Sequence, residues 1–418
     1  MIDAILKELD IDPVAWQDVN HVLQEVEKTW KEPHEETYHY WQARILRAMQ
    51  DVKLSSTDFH WTTGYGYGDI GRDKVEEVYA KVFSGEDAIV RPTIVSGTHA
   101  IFSVLRTLLR PGDRLVSLGG PLYDTIQKAI GITGDEPGNL LEQGVLYEEI
   151  PLHQGSFDRD AISSITQEPT VAIIQRSPGY SNRKAFHIDE MEKAIRALRE
   201  KFPDCIVFVD NCYGEFTQMK EPLEIGADII AGSLIKNPGG GLAYTGGYVV
   251  GKHALIERIA NTLTTPGIGK ECGLSFGLTR QVLQGLFLAP RTVYENLIGI
   301  RLLGRLMEEQ GFITRPHSDE KRSDIILSID FHDSEKLISF CQAIQSISPV
   351  DAHFSPTPWD MPGYDDPVIM AAGGFVEGSS IELSADGPLR SPYTAYVQGS
   401  LTLAHMKLAA AKILSEWK

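Results

Sequence analysis

Thr170 to Lys236 contains, in order, TVAIIQR (170–176), DEMEKAIRALREKF (189–202), CIVFVDN (205–211) and ADIIAGSLIK (227–236). Three short runs, apolar on both faces and rich in Val and Ile, are separated by an amphipathic helical segment and by a turn-rich one. A strand with no polar face must be covered on both sides, so the pattern predicts a mostly parallel sheet between layers of helices. The alternation continues outward. IVRPTIVSG leads into THAIFSVLRTLLR, DRLVSLG into YDTIQKAIG, VLYEEI precedes a polar helix, and YTGGYVVG closes the series near Gly251. Six or seven strands fit between Ala88 and Gly251.

Before this region, residues 1 to about 50 read as helix, with Ile2, Ile5, Leu6 and Leu9 on one face and Leu23, Val26 and Trp30 continuing the spacing. GYGYGDIG at Gly64–Gly71 is a glycine-rich loop. It has the G-x-G-x-x-G spacing but follows no strand of a βαβ unit, so it is set aside as a dinucleotide site; no Walker-type phosphate loop is present. After the sheet region, a helical pattern from Ser275 to Gln310 is followed by the strand SDIILSID, the helix SEKLISFCQAIQ, the short strand SSIELSA and a last helix ending near Trp417. The expected domains are a helical arm over 1–60, a large domain over 61–290 and a small C-terminal α+β domain over 291–418.

Composition narrows the function classes. The chain has 418 residues, 39 Lys+Arg against 57 Asp+Glu, and a formal charge of −18. Such an excess repels phosphate backbones and anionic lipid, which disfavours a nucleic-acid or membrane-surface role. No apolar run approaches the ~18 residues of a spanning helix. The four cysteines form no C-x-x-C pair, which argues against a structural metal site and fits a reducing compartment. MIDAILKELD lacks a basic start and a cleavage site, so a cytoplasmic protein is expected. Cys212 and Cys272 read as small apolar fillers before they read as reactive groups.

The chemistry is sought at the carboxyl ends of the strands, where open α/β sheets bind ligands. The first strand runs into Ser96-Gly97-Thr98, small residues at the start of a helix, where exposed amides and the helix dipole favour an anion; a simple capped turn has the same appearance. CIVFV ends in Asp210, a carboxylate that needs a cationic partner if it is desolvated. DIIA runs on into Gly232-Ser233-Leu234-Ile235-Lys236, and a lysine there is either a turn-surface charge or a functional amine. Tyr123 lies 26 residues after Gly97, and Lys236 lies 26 after Asp210. Pyridoxal phosphate needs this set: a helix start for its phosphate, an aromatic platform for its ring, a carboxylate for its pyridine nitrogen and an amine for its aldehyde.

The motifs V-S-G-T-H-A-I (Val95–Ile101), P-L-Y-D-T (Pro121–Thr125), V-D-N-C-Y-G-E-F (Val209–Phe216) and A-D-I-I-A-G-S-L-I-K-N-P-G-G-G (Ala227–Gly241) resemble the fold-type-I pyridoxal-phosphate enzymes. They are most similar to the cystathionine/methionine lyase family and its bacterial aluminium-resistance subgroup. The resemblance implies that Lys236 carries the cofactor as a Schiff base and is the base at Cα. It also implies that Asp210 pairs with the pyridinium, that Tyr123 stacks on the ring and assists proton transfer, and that Ser96, Gly97, Thr98 and Ser233 hold the phosphate. It implies carbon–sulfur bond cleavage in a sulfur amino acid, in a homodimer or homotetramer. Each residue keeps a plain alternative: Tyr123 as a helix-start packing residue, Ser233 as a strand end.

The chain also departs from the family. The Tyr-x-Arg loop that reaches a neighbour's phosphate is matched here by the Gly64–Arg72 stretch, with Tyr65, Tyr67 and Arg72 as candidates. Tyr180, in Ser177-Pro178-Gly179-Tyr180-Ser181, stands where an asparagine is usual beside the ring oxygen. Glu382-Leu383-Ser384 replaces an Arg-Leu-Ser, which leaves Arg390 as the nearest candidate for the substrate carboxylate. An aminotransferase would use the same four groups, and a non-catalytic cofactor-binding protein would use the same fold.

Overall fold

A computed structural model describes residues 2–181, 183–361 and 366–417. The elements run α1 (Ile2–Glu8), α2 (Pro13–Asp51), α3 (Ile70–Val82), β1 (Asp87–Arg91), α4 (Gly97–Leu108), β2 (Arg114–Ser117), α5 (Asp124–Ile130), β3 (Leu146–Glu149), then a short hairpin of β4 (Leu152–His153) and β5 (Ser156–Phe157). α6 (Arg159–Ser164), β6 (Val171–Gln175), α7 (Ile188–Lys201), β7 (Ile206–Asp210), β8 (Ile229–Ser233), β9 (Gly247–Gly251), α8 (His253–Leu263) and α9 (Thr279–Glu309) follow. The chain ends with β10 (Ile313–Arg315), β11 (Ile326–Asp330), α10 (Ser334–Ser346), β12 (Val368–Ala371), β13 (Ser384–Pro388), β14 (Thr394–Gln398) and α11 (Leu403–Glu416). Among the described residues, no helix is long and apolar enough to cross a membrane.

The chain divides into two compact units. One comprises Trp41–Leu234 and Thr245–Phe287; the other comprises Met1–Tyr40, Ile235–Tyr244 and Leu288–Lys418. This differs from the expected arm, large domain and small domain in two places. Leu6, Ile11, Ala15, Val19, Val22 and Val26 of the N-terminal helices belong to the same apolar core as Leu302, Leu306, Ile329 and Ile413, so the arm shares a core with the C-terminal residues. The segment that begins at Ile235 joins them.

The first unit is built on a seven-stranded sheet in the order β1-β9-β8-β7-β6-β2-β3. β9 runs antiparallel to both its neighbours, and the other pairs are parallel. The strands are apolar because both faces are covered, with every residue of β6, β8 and β9 buried. α7 shows how sequence makes the covering layer. His187 and Glu190 form a capping box, Arg199 and Lys201 sit in the last turn, and Ile188, Met191, Ala194, Ile195 and Leu198 face inward. Trp41, Phe83, Phe216, Tyr79 and Tyr248 form a second packed group, with neighbouring ring centroids 5.2–5.9 Å apart.

The second unit has a five-stranded antiparallel sheet, β10-β11-β14-β13-β12. The strand expected at SSIELSA (379–385) begins five residues later, at Ser384. Ile381 instead accepts the Ser400 amide (3.0 Å), and the Glu382 side chain turns to bond backbone amides of an upstream loop. Those bonds hold these residues out of the ladder.

A buried cationic cluster anchors α2 within this unit. The Arg301 guanidinium carbon lies 3.5 Å from the Trp30 ring centroid, and Arg301 donates to His34 Nε2 (3.2 Å) and to the carbonyls of Ser318 and Glu320. Burial, with the charges of Arg301 and Arg322, pushes His34 down to about 3 from an ordinary value near 6.5. The unfolded chain therefore takes up a proton below pH 6.5 that the folded chain refuses until about pH 3. Stability is full above pH 6.5 and is lost as pH falls. Between pH 7 and pH 5 His34 should contribute a loss of up to about 2 kcal/mol. Urea titrations of the wild type and of His34→Gln at the two pH values should show a smaller acid loss in the variant.

Candidate active site

Five stretches converge at the carboxyl edge of the seven-stranded sheet. β1 leads through a short turn to α4, whose N-cap is Ser96; its hydroxyl accepts the His99 amide (3.0 Å). Gly97, the first residue of the helix, sits so close to the ends of β7 and β8 that a Cβ there would lie 3.3 Å from Ser233 Cβ and 3.4 Å from Cys212 Sγ. The absent side chain is what lets the helix start approach the strand ends. Thr98 Oγ1 is 3.1 Å from Thr125 Oγ1, which links α4 to the first turn of α5.

Tyr123 is the residue before α5. Its own amide donates to Gln175 Oε1 (2.6 Å), and its ring lies 5.8 Å from that of Tyr180 at an interplanar angle of 57°. Gly179 has φ +60°, and a Cβ on it would sit 2.8 Å from Tyr123 Cδ2. Glycine is required there by both conformation and space. Gln175 closes β6, pairs in register with Asp210, and donates through Nε2 to the Ser177 carbonyl (2.8 Å). One amide side chain thus sets both the tyrosine and the loop that carries Tyr180.

Asp210 ends β7 and is buried; its Oδ1 accepts the Cys212 amide (3.1 Å). The next residue, Asn211, belongs to a fully enclosed network. Arg176 donates to Asn211 Oδ1 (2.8 Å) and to Glu221 Oε2 (3.3 Å), and Asn211 donates to the same carboxylate oxygen (2.7 Å). Arg176 and Glu221 both have 0% side-chain exposure. Burial pushes the Glu221 carboxyl up, and the Arg176 charge, the Phe216 amide and the Asn211 amide oppose that rise. Nearby, Tyr248 donates to Glu215 Oε1 (2.7 Å), and burial beside Glu215 keeps its phenol well above the ordinary value. None of Gln175, Arg176, Glu215 or Glu221 was anticipated. The available signal was polar residues closing or following apolar strands, and it does not say which of them meet.

Lys236 follows Ser233 by three residues and is the second residue of the segment that belongs to the other unit. It precedes a short 3₁₀ turn at Asn237–Gly239 and has φ −105° and ψ −148°.

Four further candidates lie elsewhere on the chain. Arg72 is buried and donates to the carbonyls of Gly66 (2.8 Å) and Gly273 (3.2 Å) and to Asp73 (2.8 Å). Its guanidinium stitches the glycine loop to the stretch before α9. Tyr65 and Tyr67 do project, at 77% and 62% exposure. Arg390 makes an exposed ion pair with Asp366 (3.3 Å).

Residues 16–418 match the methionine gamma-lyase family. The chain belongs to that family. It is 51% identical to the YnbB protein of Bacillus subtilis over 88% of each chain. It is also similar to a carbon–sulfur lyase involved in aluminium resistance from Clostridium novyi, at 44% identity and a TM-score of 0.95, covering 100% of this chain and 99% of that one. The L-methionine gamma-lyase of Pseudomonas putida is more distant, at 31% identity over 47% of this chain and 45% of its own.

The enclosed Arg176–Glu221 pair gives a direct test. Removing one partner of a buried pair strands the other charge. Arg176→Met should lose about 3–5 kcal/mol in chemical denaturation. Replacing both residues together (Arg176→Met with Glu221→Leu) should lose less than the single change.

Proposed function

We propose that this protein is a pyridoxal-phosphate-dependent carbon–sulfur lyase. It cleaves a sulfur amino acid by β- or γ-elimination, with an α-keto acid, ammonia and a thiol as products. The reading is carried by one observation: the close approach of the Gly97 helix start to Ser233 and Cys212, beside a buried strand-end carboxylate and three residues before a lysine. Family membership and the names of the relatives support it.

The donor set fits the cofactor. The amides at Gly97 and Thr98 and the Ser233 hydroxyl suit a phosphate, which the helix dipole also favours. Asp210 suits a protonated ring nitrogen, Tyr123 a ring face, and Tyr180 the ring oxygen. When bound, pyridoxal phosphate supplies a sink for the electron pair left at Cα. Lys236 is the base that removes the Cα proton. The Asp210 carboxylate keeps the proton on the ring nitrogen, and the buried Arg176–Asn211–Glu221 network fixes the strand end that carries it. Tyr123 is the acid that protonates the departing sulfur, and for a γ-substituent a further proton leaves Cβ first. Arg390 serves as the carboxylate anchor by exchanging Asp366 for substrate.

Pure protein should be yellow, and borohydride should fix the cofactor on the peptide bearing Lys236. A colourless protein that ignores added cofactor, or labelling elsewhere, contradicts the reading. Incubated with a panel of amino acids, the enzyme should release thiol, ammonia and keto acid together. Retention of the amino group and its passage to an added keto acid would identify an aminotransferase instead.

The exposed tyrosines at 65 and 67 are proposed to complete the phosphate site of a second copy in an isologous dimer. Sedimentation should show at least a dimer at micromolar concentration. Tyr65→Ala with Tyr67→Ala should raise the cofactor dissociation constant at least about tenfold, on the order of 1.4 kcal/mol.

A further inference from the structure

The loop Gly373–Ser380, between β12 and β13, is held at both ends by bonds that do not bury its apolar side chain. Glu382, 3% exposed, accepts the amides of Phe375 (2.6 Å) and Val376 (2.9 Å) through its two carboxylate oxygens. Phe375 itself remains 70% exposed. The approach is tight enough that a Cβ on Gly374 would lie 2.6 Å from Glu382 Oε2. A desolvated carboxylate is costly, and burial does raise the Glu382 carboxyl, with the two amides and the charge of His405 opposing the rise. That cost is spent on backbone position, since no apolar surface is gained at Phe375.

At its other end the loop meets the lysine segment. Ser379, itself buried, donates through Oγ to the Ile235 carbonyl (3.0 Å), and the Cβ position of Gly378 lies 3.8 Å from Ile235 Cδ1. The Ile235 carbonyl and the Lys236 amide form one rigid peptide plane. A hydrogen bond to that carbonyl therefore sets the orientation from which the Lys236 side chain departs. Lys236 itself lies outside the regular α and β regions.

We infer that Ser379 and Glu382 act in series as positioning residues for Lys236: Glu382 fixes the loop, and Ser379 transfers its position to the peptide plane that carries the reactive amine. The inference rests on the reading of Lys236 as the cofactor-bearing base and deepens it. It accounts for a glutamate at a position where a substrate-binding arginine was expected. The carboxylate acts on backbone and needs no substrate.

The test combines hydrogen exchange over residues 233–239 in cofactor-free protein with turnover of the loaded enzyme. Ser379→Ala and Glu382→Ala should each accelerate exchange in that segment about tenfold while the β6 and β7 segments keep their rates. Both should lower kcat about tenfold with KM changed less than twofold, as misplacement of a reacting group predicts. Ser379→Thr, which keeps the hydroxyl, should restore both quantities. If Ser379→Ala does not fold, Ser379→Cys removes the strong donor at similar volume and serves for the same comparison. Exchange within twofold of wild type, or faster exchange with unchanged kcat, overturns the inference. Failure of borohydride to label Lys236 in the wild type would instead overturn the underlying reading, and the exchange measurement needs no cofactor, so the two failures are distinguishable.

Discussion

The enclosed contact between Arg176, Asn211 and Glu221 is the constraint on which the rest of the site depends. Arg176 and Asn211 directly follow β6 and β7, and their amides still donate to the neighbouring strands, at the carbonyls of Asp210 and Ala231 (both 3.0 Å). Two charges with no exposure cost several kcal/mol each to dehydrate, and only mutual pairing with good geometry offsets that. Asn211 adds to the pairing, since it donates to Glu221 and accepts from Arg176, which ties the three groups to one another. The strand end bearing Asp210 is thereby buried and tied by hydrogen bonds, although it carries a carboxylate.

Around that fixed point, small residues set distance and polar ones set direction. Gly97 lets a helix start approach Ser233 to where a Cβ would pack tightly, and Gly179 lets a loop come nearer to Tyr123 than a side chain would permit. Gln175 then binds the amide of Tyr123 and the carbonyl of Ser177, so that two aromatic residues from different crossovers face one another. The same division of labour recurs in the other unit, where Gly374 lets a loop close on Glu382, and Ser379 links that loop to the peptide before Lys236. In both places a buried side chain acts on backbone, and that backbone carries a residue proposed to react. Precision of this kind favours function residing on strand ends and anchored loops over mobile ones.

Sequence alone determined the mostly parallel sheet of six or seven strands, the helices over it, and the placing of Asp210 and Ser233 at strand ends with Lys236 three residues beyond. These follow from local information: apolar runs with no polar face, 3.6-residue periodicity, and the residue that happens to stand where a run stops. Tertiary structure alone decided which distant groups meet. The pairing of Arg176 with Glu221, 45 residues apart, and of Ser379 with Ile235, 144 residues apart, depends on crossovers whose lengths leave no periodic trace. The inward turn of Arg72 onto Gly66 and Gly273, and the sharing of one core by the N-terminal helices and the C-terminal sheet, were decided in the same way. An arginine beside a glycine loop looks the same in sequence whether it reaches solvent or its own backbone. Only the desolvated carbonyls around it, brought together by the packed sheet and helices, determine which it does.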